Sequence, residues 1–486
     1  MTGSVRRYEA PPGSIPTLRI PELAEMRRVH LIGIGGAGMS GIARLLLARG
    51  VEVTGSDLKD SRLLHELRST GARVEVGHRE EHLPDDLDAV VVSTAIREGN
   101  LELAEARRRG LPVLARAQVL AALMKGTRSI AVSGTHGKTT TTSMLAVILD
   151  RAGADPTYVI GGDLNEAGSG ARPGGGDLFV AEADESDGSF LLLPAEVAVI
   201  TNVEEDHLDF YRGGGAEIRS AFARFARSAG TVVACGDDPG AVACLDDAGV
   251  EAMTYGRGPR NDAVLGAEED GPLGPRARLR VPDGTEVALE LRVRGRHNLL
   301  NASAAVLAAG LVGVPARVAA EAIGAFEGAR RRFEYRGLAA GAAFYDDYAH
   351  HPTEVVATLG AARSWLDTEV DGDGRRLVAV FQPHRYTRTE VMWRALGESL
   401  CGADVVVITD VYAAGEEPMP GVTGKLLVDA LAEAAPGKRL VYLPRRHDVV
   451  EFLAAEVRQG DLVLTLGAGD ITMVAEETLD RIRESA

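Results

Sequence analysis

Residues 129–140 read SIAVSGTHGKTT, a short apolar run joined to a glycine-rich turn that ends in lysine and threonine. The run Ser129–Ser133 predicts a buried strand, and the turn Gly134–Lys138 precedes a helical pattern that continues to Leu149. Amides of such a turn can hold phosphates, the lysine can neutralise the β- and γ-phosphate charge, and a threonine hydroxyl can reach Mg²⁺. Val132 replaces the first glycine of the usual pattern G-x-x-x-x-G-K-[ST], but the flanking strand and helix favour nucleotide binding over a chance G-K-T. The predicted phosphate-contacting residues are Gly134, Thr135, His136, Gly137, Lys138, Thr139 and Thr140.

Two acidic segments follow neighbouring predicted strands. EADESD begins at Glu182, the last residue of the predicted strand Leu178–Glu182, and EEDH ends at His207, after the predicted strand Val197–Asn202. Side chains that leave adjacent strand ends can point into one crevice, and hard oxygen ligands suit Mg²⁺. An isolated acidic run is usually a solvated loop. Its position after a phosphate loop in the same sheet favours the metal site.

A second glycine-rich turn lies near the N-terminus. The predicted strand Arg28–Ile34 runs into GIGGAG at residues 33–38, which fits G-x-G-x-x-G, and a helical pattern follows over Met39–Arg49. The glycines would let the backbone approach a diphosphate, and Asp57 at the end of the next strand could bind a ribose. A turn without ligand is the alternative, and the motif does not separate a nicotinamide cofactor from a UDP-sugar. The predicted diphosphate-binding residues are Gly33, Gly35, Gly36, Gly38 and Asp57.

Polar clusters also occur in the last third of the chain. DDYAHHP spans residues 346–352, and QPHRYTR spans residues 382–388, directly after the predicted strand Leu377–Phe381. Arginine binds carboxylates in a two-pronged contact. A solvated face is the alternative, but the interleaved proline and aromatic residues favour a site. Asn298 opens a helix, and the residues leave open whether it caps that helix or binds an adenine edge.

The bulk composition restricts the class of protein. A length of 486 residues suggests about three domains. A net charge of −17 argues against broad nucleic-acid or membrane-surface binding. There is no run of about 18 apolar residues, and Met1–Arg28 lacks the apolar core of a secretory signal, so we expect a mobile N-terminal arm. The three cysteines predict reduced thiols in the cytosol.

Strands alternate with helices along most of the chain. Further predicted strands are Val51–Thr54, Ala89–Ser93, Val405–Thr409 and Leu462–Leu466, with short strands over 261–290, a helix Leu299–Leu311 and a surface loop Gly168–Gly176. This alternation is typical of parallel α/β sheets. The predicted fold class is therefore α/β with three domains: an N-terminal Rossmann-like sheet, a central P-loop ATPase-like domain and a C-terminal Rossmann-like domain.

The motif set resembles the L-alanine-adding branch of the Mur ligase family. The motifs run from Gly33 to Ile471, in the order found in that branch, and read GIGGAGMSGIA, GTHGKTTT, EADESDGSF, NVEEDHLDFY, GRHNLLNA, RRFE, DDYAHHPTE, FQPHRYTRT, DVYAAGE and GAGDI. Several relatives outside this branch, including the later Mur ligases and folylpolyglutamate synthetase, carry a carbamylated lysine some 15 residues after the histidine that matches His207. This chain has no lysine between Lys138 and Lys425, which fits the branch.

The resemblance implies a division of the chain: an arm 1–26, a UDP-sugar-binding domain 27–123, an ATP-binding domain 124–329 and an amino-acid-binding domain 330–486. It implies that Lys138 contacts ATP phosphates and that Thr139, Glu182 and His207 serve magnesium. It places Asn298, Arg331 and Asp347 at the nucleotide. The residues implied for L-alanine and the reacting carboxylate are Tyr348, His350, His384, Arg385 and Arg388, with Lys138, His350, Arg385 and Arg388 as the catalytic set.

The implied reaction is ligation of L-alanine to the carboxylate of UDP-N-acetylmuramate, with ATP consumed through an acyl phosphate. Two alternatives stay open: a recycling ligase that adds a preformed tripeptide, and a nicotinamide-dependent dehydrogenase suggested by G-x-G-x-x-G alone. We expect a cytoplasmic monomer or homodimer with ATP and Mg²⁺ as substrate and cofactor, and with neither nucleic acid nor membrane as partner.

Overall fold

The structure, a computed structural model, describes residues 18–161, 170–208, 210–271, 273–368 and 375–485. Most of the predicted arm 1–26 and the start of the predicted loop Gly168–Gly176 lie outside these ranges. No helix in the described ranges is long and apolar enough to span a bilayer. The described chain divides into two compact units, each described by itself below. The first reaches to Leu265 and adds Leu279–Val287 and Asn301–Ile323, and the second comprises Gly266–Arg278, Ala288–Leu300 and the part from Gly324 onward.

The first sheet of unit one is parallel in all its pairings, with the order β3-β2-β1-β4-β5. Its strands are buried runs of β-branched and aliphatic residues, covered by helices on the two faces. The chain reverses direction across the sheet on either side of β1, so a crevice opens at the carboxyl end of that strand. The elements are β1 (Arg28–Ile32), α1 (Ala37–Ala48), β2 (Glu52–Asp57), α2 (Arg62–Ser69), β3 (Arg73–Val76), β4 (Ala89–Val92), α3 (Leu101–Arg108), β5 (Val113–Ala115) and α4 (Arg116–Met124).

The second sheet has the order β15-β14-β13-β12-β11-β10-β6-β9-β7-β8 among the described residues. Its β6 lies between β10 and β9, parallel to both, so the turn after β6 opens at a sheet crevice. The division between the two units passes through β13, β14, β15 and α8. The elements are β6 (Arg128–Ser133), α5 (Lys138–Arg151), β7 (Thr157–Val159), β8 (Ala171–Arg172), β9 (Leu178–Glu182), β10 (Val197–Ile200), α6 (Gly215–Ser228), β11 (Thr231–Cys235), α7 (Pro239–Ala248), β12 (Met253–Gly256), β13 (Ala263–Asp270), β14 (Pro275–Arg280), β15 (Glu286–Glu290), α8 (His297–Leu311) and α9 (Ala316–Ile323).

The third sheet belongs to unit two and has the order β16-β17-β21-β18-β19-β20. It is parallel except for the edge pair β16 and β17. The central strands β18, β19 and β21 are fully buried between two helical layers. The elements are β16 (Glu334–Ala339), β17 (Ala342–Asp347), α10 (Pro352–Thr368), β18 (Leu377–Phe381), α11 (Tyr386–Ser399), β19 (Val405–Ile408), α12 (Lys425–Ala434), β20 (Arg439–Tyr442), α13 (Arg446–Glu456), β21 (Leu462–Leu466) and α14 (Thr472–Ser485).

Three sheets with helices between their strands confirm the predicted three-domain α/β class. The strands β9, β18 and β21 coincide with the predicted runs, because each is a short apolar stretch with clear polar or glycine borders. The predicted domain boundaries stay a prediction.

A buried carboxylate lies in the core of the first sheet. Glu102, at the start of α3, has 0% exposure. Ser56 donates to it, the Nδ1 atoms of His82 and His78 lie 3.0 and 3.3 Å from its oxygens, and Nε2 of His30 lies 3.6 Å away. Burial alone would raise the pKa of Glu102, but the close contact with His30 and the hydrogen bonds with His78 and Ser56 hold it well below its usual range. The ionised carboxylate therefore ties α3 to β1, β2 and the segment after β3.

We predict that Glu102→Gln destabilises the protein and removes part of its acid sensitivity. The variant leaves buried donors without a charged acceptor, which costs about 1–3 kcal/mol. Because folding lowers the pKa of Glu102, its stabilisation is complete above the unfolded value of about 4.5 and is lost as the pH falls below it. Scanning calorimetry at pH 7 and pH 4 should show a lower Tm at pH 7 and a smaller difference between the two pH values. Glu81→Gln, an exposed carboxylate on the adjacent turn, is the matched control. Equal behaviour of the two variants would contradict the prediction.

Candidate active site

The turn after β6 requires glycine at two positions. Gly134 has φ +136°, and a Cβ there would lie 2.0 Å from Oγ1 of Thr201. Gly137 has φ +80°, and a Cβ there would lie 2.5 Å from Oδ1 of Asn301. Both backbone conformations are ones that residues with side chains rarely adopt. The glycines therefore allow the backbone to turn tightly between β6 and α5.

The turn is anchored by the end of the neighbouring strand β10. The amide of Thr135 donates to the Asn202 carbonyl at 3.0 Å, and the amide of His136 donates to Oδ1 of Asn202 at 2.8 Å. Nε2 of His136 lies 3.4 Å from Oε2 of Glu204. Helix α5 then begins at Lys138, and Thr139 and Thr140 are buried in its first turn. The helix N-terminus and the turn thus present the polar surroundings that a phosphate group needs.

Lys138 lies at the centre of this turn. Its Nζ donates to the carbonyl oxygens of Gly134 and Thr135 at 2.7 and 3.2 Å and lies 2.9 Å from the Glu185 carboxylate. Burial alone would lower the pKa of Lys138, but Glu185 and Asp184 outweigh burial and raise it to about 12. The lysine is therefore held as a cation in a largely desolvated place.

The acidic segment supplies more negative charge than the nearby cations neutralise. Burial raises the pKa of Glu185 to about 7, with Lys138 opposing this rise and Asp184 adding to it. Burial and the Asp184 charge also raise the pKa of Asp187. Several carboxylates thus crowd one ammonium group, an arrangement that a divalent cation would relieve.

Two of the three residues predicted to hold magnesium, Thr139 and Glu182, bring together oxygen atoms that fit a hard cation. The Thr139 hydroxyl donates to Oε1 of Glu182 at 3.0 Å. Two oxygen atoms that could ligate a metal ion therefore lie side by side, one at the start of α5 and one at the end of β9. His207 has φ +53°, and its Nε2 lies 3.9 Å from Glu185 and 3.6 Å from Asp206. Oxygen donors with an excess of negative charge are typical of Mg²⁺ sites beside phosphates.

The Asp57 side chain stabilises the N-terminal glycine turn. The amide of Gly35 donates to Oδ2 of Asp57 at 2.9 Å, and a Cβ at position 35 would lie 2.5 Å from Leu64. Gly33 has φ +77° and its amide donates to the Ser56 carbonyl. One oxygen of Asp57 therefore supports the turn, and the proposed ribose contact stays a prediction. Gly36 and Gly38 complete the turn and the first residues of α1.

Sequence reasoning missed Arg116, the first residue of α4. A Cβ at Gly38 would lie 2.7 Å from Nη1 of Arg116, so the guanidinium lies against the start of α1. Burial would raise the pKa of Asp184, but the charges of Lys138, His207 and Arg116 lower it, and Arg116 and Asp184 line one small pocket together with Ser93 and Thr94. Arg116 thus lies between the glycine turn and the acidic segment. The one sequence signal was a basic residue at the start of an apolar helical run.

In unit two, Arg331 is surrounded by protein partners. It has φ +59°, and its guanidinium contacts Asp346 at 3.2 Å, donates to the Gly467 carbonyl at 2.6 Å and lies 4.8 Å from the Tyr348 ring centre. Both oxygens of Asp347 accept backbone amides, from Phe333 and from Ala349. Burial raises the pKa of Asp347 to about 6, while Arg332 opposes this rise. These residues order the loop that carries Tyr348 and His350, and their nucleotide contacts stay predictions.

Two histidines of unit two have opposite proton arrangements. Nδ1 of His350 lies 2.9 Å from the Tyr348 carbonyl, which can only accept, so the lone pair of the neutral ring is on Nε2. Nδ1 of His384 lies 3.3 Å from the Arg388 guanidinium, which can only donate, so the proton of His384 is on Nε2. Burial, with the charges of His350 and Arg388, lowers the pKa of His384 to about 3. His384 is therefore a neutral donor, and the two rings lie 5.9 Å apart.

Residues three apart share a face if one helix contains both, so Arg385 and Arg388 could form a pair, and the sequence left open whether Asn298 caps α8; the structure shows neither arrangement. Arg385 and Arg388 do not share a face as two residues of one helix, because α11 begins at Tyr386 and Arg385 precedes it with φ +68°. Arg388 is buried, with 9% exposure, whereas Arg385 lies 3.8 Å from Glu416. Asn298 does not cap α8, because the helix begins at His297; its side chain donates to the Arg294 carbonyl instead. The adenine contact of Asn298 stays a prediction.

Comparison with known proteins agrees with this arrangement. Residues 28–128 match the Mur ligase family catalytic domain, 132–309 the Mur ligase middle domain and 331–469 the Mur ligase glutamate ligase domain. The UDP-N-acetylmuramate–L-alanine ligase of Acidothermus cellulolyticus is 50% identical over 95% of this chain and 96% of its own.

Solved structures give the same picture. The crystal structure of UDP-N-acetylmuramate-alanine ligase MurC from Thermotoga maritima matches with a TM-score of 0.80 and 28% identity over 94% of this chain and 100% of that one. The crystal structure of a murein peptide ligase from Psychrobacter arcticus matches with a TM-score of 0.69 and 26% sequence identity. The match covers 94% of this chain and 98% of that one. The family predicted from the motifs is thereby confirmed: this chain belongs to the Mur ligase family.

Proposed function

We propose that this protein uses ATP to join L-alanine to the carboxylate of UDP-N-acetylmuramate, a step of peptidoglycan precursor synthesis. A carboxylate resists attack by an amine at neutral pH, and transfer of the γ-phosphoryl group turns one of its oxygens into a good leaving group. The amine then attacks the carbonyl carbon, and phosphate leaves. The near-complete match to relatives that bear this activity in their names supports the proposal.

The observation that carries the chemistry is the position of Lys138. Its ammonium lies within a glycine turn, held charged by Glu185, where the β- and γ-phosphates would lie. A positioned cation offsets the negative charge that spreads over the transferred phosphoryl group. Thr139, Glu182 and His207 would hold Mg²⁺, which supplies further neutralisation of the phosphates when bound. Arg116 and the turn Gly33–Gly38 would hold the sugar diphosphate.

The amine half of the reaction falls to unit two. When the His350 ring is neutral, its Nδ1–H donates to the Tyr348 carbonyl and Nε2 carries the lone pair, which suits Nε2 to take a proton from the L-alanine ammonium. The guanidinium groups of Arg385 and Arg388 suit carboxylate binding. His384, as a neutral donor, can hydrogen-bond an oxyanion but cannot exchange a proton near pH 7. The location in the cytoplasm and the monomeric or homodimeric state remain predictions.

The experiment that tests the function measures ADP release with purified protein, ATP, Mg²⁺ and chosen acceptors. We expect ADP only when UDP-N-acetylmuramate and L-alanine are both present, with far less turnover when the tripeptide L-alanyl-γ-D-glutamyl-diaminopimelate replaces L-alanine. Preference for the tripeptide would favour the recycling ligase. Tighter binding of NAD or NADP than of the sugar nucleotide would favour a dehydrogenase. ADP release at an equal rate without any sugar nucleotide would contradict both ligase assignments.

Lys138→Ala provides the matched inactive variant for this assay. Loss of one positioned charge contact typically lowers kcat by a factor of about 10² or more. Lys125→Ala is the control, because it makes the same substitution at an exposed lysine that precedes β6. Near-normal turnover by a folded Lys138→Ala protein would show that the turn has another role.

We predict that Arg388→Lys raises KM for L-alanine by about tenfold or more while KM for ATP stays near normal. Lysine keeps the charge but loses the planar pair of donors that matches a carboxylate. Steady-state kinetics with each substrate varied in turn measures the split. Arg394→Lys is the control, since Arg394 is on the same helix but is half exposed and pairs with Glu433. A lower Tm with unchanged KM for L-alanine would make Arg388 a structural residue and move the amine site toward Tyr348 and His350.

A further inference from the structure

The segment Asp410–Glu416, here called the 410 loop, follows β19 and carries the motif DVYAAGE, to which the reaction above assigns no role. Its backbone is paired with the segment that bears the proposed L-alanine residues. The amide of Tyr412 donates to the Pro383 carbonyl at 2.8 Å, and the amide of Arg385 donates to the Tyr412 carbonyl at 2.9 Å. These two bonds flank His384, so the 410 loop holds the backbone on both sides of that ring.

The Tyr412 side chain lies against the His384 ring. The two ring centres are 5.7 Å apart and the planes differ by 12°, an offset stack. On the other side of Tyr412, a Cβ at Gly469 would lie 2.6 Å from its Cγ, so the absence of a side chain at position 469 makes room for the tyrosine. The ring of His384 therefore has one face covered by Tyr412, while its Nδ1 accepts from Arg388.

Glu416, at the other end of the 410 loop, holds the start of α11. Its carboxylate accepts from the amide of Thr387 at 3.1 Å and from the Thr387 hydroxyl at 2.8 Å, and it lies 3.8 Å from Nε of Arg385. A carboxylate at a helix N-terminus satisfies an amide that the helix leaves unpaired and interacts favourably with the helix dipole. Glu416 thus orients both the residue before the helix, Arg385, and the turn that carries Arg388.

We propose that the 410 loop is a positioning element for the amine half of the reaction. Tyr412 holds the plane of the His384 ring, and with it the contact to Arg388 that decides the tautomer, and Glu416 orients the side chains of Arg385 and Arg388. Tyr412 and Glu416 act through these three side chains and are positioning residues rather than catalytic ones. The inference rests on the proposed function for the identity of the substrate. It goes beyond that function because it assigns the specific task of ordering the amine site to two residues outside it.

The first test compares Tyr412→Leu with Tyr412→Phe. Leucine fills similar space but cannot stack, whereas phenylalanine keeps the ring. We expect Tyr412→Leu to raise KM for L-alanine by about tenfold, with KM for ATP within about twofold, because small displacements of positioning groups have large kinetic effects. Tyr412→Phe should stay within about twofold of the wild type. A uniform fall in kcat for all substrates, or an equal effect of both variants, would overturn the proposal.

A second measurement does not depend on turnover. NMR of the full chain with ¹⁵N-labelled histidine should show the Nε2–H tautomer for His384 in the wild type and in Tyr412→Phe, with no titration down to about pH 5. In Tyr412→Leu the signal should become a mixture of tautomers or begin to titrate. An unchanged His384 signal in Tyr412→Leu would overturn the role of Tyr412. If the wild type shows the expected signal yet releases no ADP with L-alanine, the proposed function fails while the positioning geometry stands.

Glu416→Ala tests the other end of the 410 loop. If Tyr412→Leu does not fold, the same kinetic measurements on Glu416→Ala test the proposal. Its neighbour Glu417 is exposed, so Glu417→Ala is a control that removes the same charge one residue away. We expect a rise of about tenfold in KM for L-alanine for Glu416→Ala alone. Equal kinetic constants for the two variants, or a loss confined to Tm, would overturn the role of Glu416.

Discussion

The ammonium of Lys138 lies 2.9 Å from the Glu185 carboxylate in a place from which water is largely excluded. Taking two charges out of water is costly, and their attraction offsets this cost only when the geometry is good and the remaining donors are satisfied. Here the carbonyls of Gly134 and Thr135 accept the other protons of Lys138. The two glycines and the contacts to Asn202 fix the turn whose carbonyls surround this cation.

The two compact units carry candidate sites of opposite charge. In unit one, carboxylates crowd Lys138, so the site favours added cations. In unit two, arginines lie beside two histidine rings, so the site favours anions such as a carboxylate or a developing oxyanion. The opposite tautomers of His350 and His384 give one ring a basic nitrogen and the other a donor. This division of labour matches a reaction in which one half handles phosphates and the other an amino acid.

The sequence predicted the elements whose signals are local. The strand β6, the glycine turn and the start of α5 could be derived because apolar runs, glycines and a lysine occur in one short segment. The sequence could not show that Glu185 is the partner of Lys138. Glu182, Asp184 and Asp187 carry the same group nearby, and the path of the chain after β9 decides among them. Arg116 could not be found because its neighbours are distant in sequence. The contact between the first turn of α11 and the Glu416 carboxylate, made through Thr387, is likewise non-local.

In the proposed reaction, the sugar carboxylate is activated by phosphoryl transfer before the amine attacks. If so, one carboxylate oxygen becomes the bridge to phosphorus and leaves with the phosphate. The most direct measurement uses UDP-N-acetylmuramate labelled with ¹⁸O in its carboxylate, with ATP, Mg²⁺ and L-alanine, and analyses the released inorganic phosphate by mass spectrometry. We expect each phosphate to carry one ¹⁸O atom from the carboxylate. Phosphate free of ¹⁸O, formed together with the amide product, would contradict it.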